Sequence, residues 1–287
     1  MQWTGDVARG EWIRPRLHGW GHVGGVVPRG FEAYARILHP IRAERDEESA
    51  TWTWAELASR TGKMMHPLVQ SWRFFGERLA DLWLEDGWHP GVPDQGFLKP
   101  HLLAALTGLL RFYTISPDEV TLGVWVGWGE LHPGTGGVFG WFGDGVDQQA
   151  AAAEATERFH REQAQAVSPD IARAAAGLPD GSYDAALVLP AREYVLLTGT
   201  LDELADPTWP YRAGIGWRAG GDYGPMPSLM WPADRAWCVA TEIDFDSTLV
   251  GGSRPLVEAI LADPTFEAFE VGPDDDLTLA GDRINPA

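Results

Sequence analysis

Cysteine occurs once in the 287 residues, at Cys238, so no disulfide can form within the chain. That usage agrees with a reducing compartment. Cys238 lies in an apolar stretch with no activating histidine nearby in sequence, and reads as a small buried hydrophobe. Lysine is almost missing too: Lys63 and Lys99 are the two, and every other one of the 22 basic residues is arginine. No apolar run approaches the ~18 residues of a membrane-spanning helix, and LLAALTGLL (Leu102 to Leu110) has the length of a core helix. The opening MQWTGDVARGEW lacks the basic-then-apolar order of a signal peptide, so the expected location is cytoplasmic. No G-x-S-x-G, CxxC, HExxH, kinase or Walker pattern occurs. His18 and His22 have metal-like spacing, but the glycines around them point to a loop rather than a helix.

Acidic residues are plentiful, at 41, and the net charge is −19. It is unevenly spread: residues 1–143 carry −3 and residues 144–287 carry −16. Such a surface repels phosphate backbones and excludes nucleic acid as an expected partner, whereas a basic protein or a cation suits it. Fifteen tryptophans supply large apolar area, and each brings an indole N–H that needs a partner.

The most informative stretch runs from Trp231 to Ser253, WPADRAWCVATEIDFDSTLVGGS. Alternation in a strand would put Trp237, Val239, Thr241, Ile243 and Phe245 on one face. Glu242, Asp244 and Asp246 would then project from the other, about 7 Å apart per step. Three carboxylates so placed suit a divalent cation or an acid/base pair. They equally suit the solvated face of a half-buried sheet. Arg235 is placed to balance them or to orient an anionic group. Gly251-Gly252-Ser253 reads as a turn, with Ser253 capping a helix.

Elsewhere, Thr53-Trp54-Ala55-Glu56 and Thr200-Leu201-Asp202-Glu203 are capping boxes that open short helices. Helices are expected over Pro67 to Leu84 and Leu98 to Tyr113. Strands are expected at Phe31 to Leu38, Val120 to Trp128, Ala185 to Leu189, Glu193 to Thr198 and Phe266 to Val271. Arg42 to Ser49 reads as a charged loop, and Trp141-Phe142 as part of a hairpin or loop. Helices cluster early and strands late, with irregular connections. This predicts an α+β fold, a mostly antiparallel sheet with helices packed on one side. It also predicts a helix-rich half over 1–147 with one or two strands and a strand-rich acidic half over 168–287. Gln148 to Ala166 lies between them as a helix or linker, and a single domain is the alternative.

The block from Ser228-Leu229-Met230-Trp231-Pro232 to Ser253 resembles part of a family of uncharacterised actinobacterial proteins. VWVGWGEL (Val124 to Leu131) and EYVLLTGTLDEL (Glu193 to Leu204) resemble other blocks of it. The resemblance implies a bacterial cytoplasmic protein and brings no catalytic residue with it.

Three readings follow. The first is a non-catalytic binding or interaction protein with an acidic surface, its partner a basic protein or a small molecule. The second is a metal-dependent or acid/base enzyme using Glu242, Asp244 and Asp246, with a divalent cation as cofactor and Arg235 in support. The third is a ligand pocket lined by Trp125, Trp128, Trp217 and Trp231.

Overall fold

The computed structural model describes residues 1–75, 82–135, 146–190, 192–221 and 223–285. The fold is α+β with antiparallel sheets. The N-terminal third contains β1 (Gln2–Thr4), a single helical turn α1 (Val23–Val26), β2 (Ala33–Leu38), β3 (Ile41–Arg45) and β4 (Glu48–Trp52). There follow α2 (Trp54–Thr61), the single turn α3 (Trp72–Phe75), β5 (His89–Pro90), α4 (Pro100–Leu110) and β6 (Val120–Trp125). Beyond them come α5 (Val146–Ala166), α6 (Pro169–Ala176), β7 (Leu187–Leu189), β8 (Arg192–Gly199) and α7 (Leu201–Leu204). The chain ends with β9 (Pro227–Pro232), β10 (Cys238–Ala240), β11 (Ser247–Gly252), α8 (Arg254–Ala262) and β12 (Ala268–Val271).

The main sheet has the order β1-β8-β6-β9-β10-β11-β2-β12, with β7 alongside β8. Strands from before residue 147 and after residue 168 are interleaved in it. A small sheet, β4-β3-β5, stands apart. The two faces of the main sheet follow from strand alternation. Val195 and Leu197 of β8, Met230 of β9 and Val239 of β10 enter one core. Leu196, Leu229 and Cys238, one residue out of phase, enter the other. Helices α4, α6, α7 and α8 cover the first face with Leu106, Ile171, Leu204 and Ile260. The second face is covered by the irregular N-terminal segment through Trp12, Ile13, Val23 and Val27, joined by Leu277 near the other end of the chain.

Both capping boxes form: Thr53 and Thr200 each accept from the backbone three residues on, and Glu56 and Glu203 reach back. The expected helix at Leu98 to Tyr113 is α4 plus a short 3₁₀ turn at Arg111–Tyr113. Gln148 to Ala166 lies within the single helix α5.

Three local expectations change. Arg42 to Ser49 is no loop: β3 and β4 pair through it, turning at Asp46, whose φ is 52°. Ile41 and Ala43 go inward while Arg42 and Glu44 face out, a period-two pattern hidden by so many charges. Within Pro67 to Leu84, only Trp72–Phe75 is helical, and residues 76–81 lie outside the described residues. Residues 67–71 form turns rather than helix, and several of their carbonyls and amides are used elsewhere, as shown below. Gly251 and Gly252 are strand residues of β11 rather than a turn, with Ser253 the N-cap of α8 as expected. Trp141-Phe142 lies outside the described residues. No helix among them is long and apolar enough to cross a membrane.

The orientation of α4 is directly testable. Leu106 is fully buried, whereas Leu109 is only partly covered. Leu106→Ala is expected to cost about 2–5 kcal/mol in urea unfolding. Leu109→Ala should cost less than half as much.

Candidate functional site

The expected long acidic strand is broken. β10 ends at Ala240, and residues 241–246 form the connection to β11. The physical reason is local: the Glu242 carboxylate accepts the Asp244 N–H at 2.6 Å, and the Phe245 N–H bonds the Glu242 carbonyl at 3.0 Å. Side-chain capture of a backbone amide two residues on favours a turn over a ladder. The three carboxylates therefore separate.

Asp246 goes inward. It is buried, accepts a hydrogen bond from the Ser71 hydroxyl, and lies 3.8 Å from Arg36, itself 1% exposed. The Arg36 guanidinium also donates to Ser247 Oγ at 2.9 Å and to the Pro67 and Val69 carbonyls at 3.0 and 2.9 Å. Its ring-face contact is Trp54 at 5.8 Å. Asp246 is thus a structural anion for a buried cation.

Glu242 and Asp244 stay at the surface edge and share Arg192, at 2.6 and 3.2 Å. Glu242 is largely covered, while Asp244 is exposed. These three residues line a cavity of about 180 Å³. Leu17, Val26, Leu189 and Leu229 give it apolar walls, and Tyr194 and Phe245 add aromatic ones. Trp20 stands at its mouth, 79% exposed. Its flanking residues, Gly19 and Gly21, both have left-handed φ, of 82° and 78°. The loop is tied by His18 N–H to the Gly24 carbonyl at 2.8 Å and His22 N–H to the Gly19 carbonyl at 3.0 Å. Burial, reinforced by Glu242, raises the pKa of the Tyr194 phenol, which stays protonated.

Arg235 lies elsewhere. It occupies the turn before β10, at the opposite end of that strand from Glu242, with φ 56°, and stacks over Trp12 at 5.5 Å. The four tryptophans do not converge either. Trp125 comes within 6.0 Å of the Arg192 guanidinium. Trp128 packs with Phe97 and Tyr223, at 5.9 and 5.5 Å. Trp217 is in the helix-covered core and donates to the Pro225 carbonyl at 2.7 Å. Trp231 is on the opposite face, edge-on to Trp12. Cys238 is buried, and burial pushes its thiol pKa up, away from nucleophilic use.

A second, larger cavity of about 410 Å³ lies between the small sheet and the 91–99 segment. Its charges are already paired within it: Arg42 with Glu44 at 2.9 Å, and Lys99 with Asp94 at 2.8 Å. Behind it, buried His39 joins three elements. The Asp94 carbonyl accepts from Nδ1 at 2.7 Å, which leaves Nε2 to accept from the Thr248 hydroxyl at 2.8 Å. Thr248 in turn accepts from Thr241 at 2.8 Å. Burial lowers the His39 pKa, against the opposing pull of the Asp94 carbonyl and the Asp246 charge, and the ring is neutral.

Among the described residues no group of three or more His, Cys, Asp or Glu side chains is placed to hold a metal ion. Sequence reasoning found Glu242 and Asp244 but missed Arg192, Tyr194, Phe245 and Trp20. One signal was available for Trp20, since an indole between two glycines has little to pack against. No family model matches the chain, and no curated protein or solved structure matches it.

Two outcomes test these assignments. Asp246→Ala strands Arg36 in the interior and should cost about 3–5 kcal/mol of stability. Because the His39 pKa is lowered in the fold, the unfolded chain takes up that proton first as pH falls. Its contribution is fully present above the unfolded value of ~6.5 and is lost below it. Urea midpoints should fall between about pH 7.5 and about pH 5.5, and less so in His39→Gln.

Proposed function

We propose that this chain is a non-catalytic binding protein whose ligand is a small organic molecule held in the cavity beneath Trp20. The single observation that carries the reading is the cavity itself: apolar walls joined in one lining by three polar groups, Arg192, Glu242 and Tyr194. That combination is the usual form of a small-molecule site. At about 180 Å³ it is below the ~300–1,000 Å³ of sites for drug-sized ligands, so its occupant is of metabolite size.

Binding rather than turnover is favoured by how the polar groups are engaged. Both carboxylates are tied to one guanidinium, and the nearby phenol holds its proton more firmly than usual. The divalent-cation reading loses its support because Asp246 is spent on Arg36. The net charge of −19 keeps a basic protein partner in play as a binder of the outer surface.

The test is a thermal-shift screen of small metabolites on the intact chain and on Leu17→Trp, which fills the cavity from its rim. A true ligand at 100 times its Kd should stabilise the chain by about 2.7 kcal/mol, and the variant should lose that gain. Mg²⁺, Mn²⁺ or Ca²⁺ alone should leave the melting temperature unchanged. A cation-dependent rise that disappears in Asp244→Asn would instead restore the metal-enzyme reading.

A further inference from the structure

The small-molecule reading can be taken one step further, to the charge of the ligand. We infer that the cavity beneath Trp20 takes an organic ammonium ion, an amine carried on an apolar body. The inference rests on the reading of that cavity as a binding site, and three independent features of its lining point to a cation.

The first is net charge. The charged side chains of the cavity's lining are one guanidinium and two carboxylates, which sum to −1 at neutral pH. Arg192 is already committed to Glu242 and Asp244, at 2.6 and 3.2 Å. An anion approaching Arg192 would meet both carboxylates at the same range. A monocation neutralises the set instead. Each carboxylate oxygen has two lone pairs, so engagement with Arg192 leaves acceptor capacity for an ammonium N–H.

The second is aromatic content. Trp20, Tyr194 and Phe245 bring three aromatic rings to a cavity of only about 180 Å³. Indole is the best aromatic partner for a cation, and ammonium ligands are commonly recognised by several rings together with a carboxylate. The third is the exposure of Trp20, 79% in a loop fixed by two left-handed glycines and short backbone hydrogen bonds. A large apolar ring held out in water at the mouth of a cavity has area to bury when the cavity fills. The remaining wall, Leu17, Val26, Leu189 and Leu229, suits the hydrocarbon part of the ligand.

The experiment is calorimetric titration of the full chain with arylalkyl and alkyl ammonium ions, each matched to the isosteric alcohol and carboxylate. The ammonium member of a set is expected to bind at least ~10-fold more tightly than either partner. Glu242→Gln should weaken ammonium binding on the order of 10–100-fold. Trp20→Ala should weaken it several-fold, and Arg192→Gln should not weaken it. An alcohol or carboxylate that binds as well as its amine overturns the ammonium assignment while leaving the cavity a small-molecule site. So does loss of binding in Arg192→Gln with none in Glu242→Gln. If no amine binds but the broad screen yields a ligand that Leu17→Trp excludes, the charge assignment alone falls. If neither yields a ligand, both readings fall.

Discussion

The buried pair of Arg36 and Asp246 is the constraint on which the rest of this molecule is arranged. A guanidinium this deep is tolerated only where its donors are all satisfied and its charge is matched. Ser247, Pro67 and Val69 accept from Nε and Nη1, and Asp246 matches the charge, from two separate parts of the chain. In doing so they tie β2 and the start of β11 to the non-helical segment that leads into Trp72–Phe75. Trp54 lies over the guanidinium and donates to the His39 carbonyl at 2.7 Å, which joins the small sheet's core to the same point. The C-terminal region is fastened nearby. Asp282 accepts from His66 at 2.8 Å and from Gln70 N–H at 3.2 Å. Burial alone would raise its pKa, but those bonds and the ones from Asn285 bring it down to about 2.

That pair also explains why two carboxylates of the acidic stretch line a cavity. Because Asp246 is drawn inward, the chain must reverse between Ala240 and Ser247. The reversal leaves Glu242 and Asp244 at the rim, where Arg192 at the start of β8 meets them. A straight strand would have lined up three carboxylates facing water. The bent one separates a structural anion from two that face a cavity.

Much of the fold was legible in the sequence, and the reasons are physical. Capping boxes at Thr53 and Thr200 are local, and the apolar rhythm of α4 is strong enough to survive any tertiary context. Leu196 and Leu197, like Leu229 and Met230, enter different cores, so the sheet is covered on both faces; the sequence pointed only to helices on one side. What the sequence concealed was long-range. Nothing near Arg36 announces that its partner is 210 positions away, or that Val69 will spend its carbonyl there. The β3–β4 hairpin was hidden because the exposed positions of β3 are charged and its buried ones are only Ile41 and Ala43. The site was half legible: its carboxylates could be found, but their cation and their aromatic neighbours come from residues 20, 192 and 194.

The cover over the second face of the sheet has a consequence for synthesis. Trp12, Ile13, Val23 and Val27 leave the ribosome early, but their partners Leu229, Trp231 and Leu249 are made more than 200 residues later. At ~5–20 residues per second, that is a wait of roughly 10–40 s with the apolar stripe uncovered. Until those strands are made, that part of a nascent chain's apolar surface is incompletely covered. Its capture by holdase chaperones should end abruptly when β9 to β11 emerge.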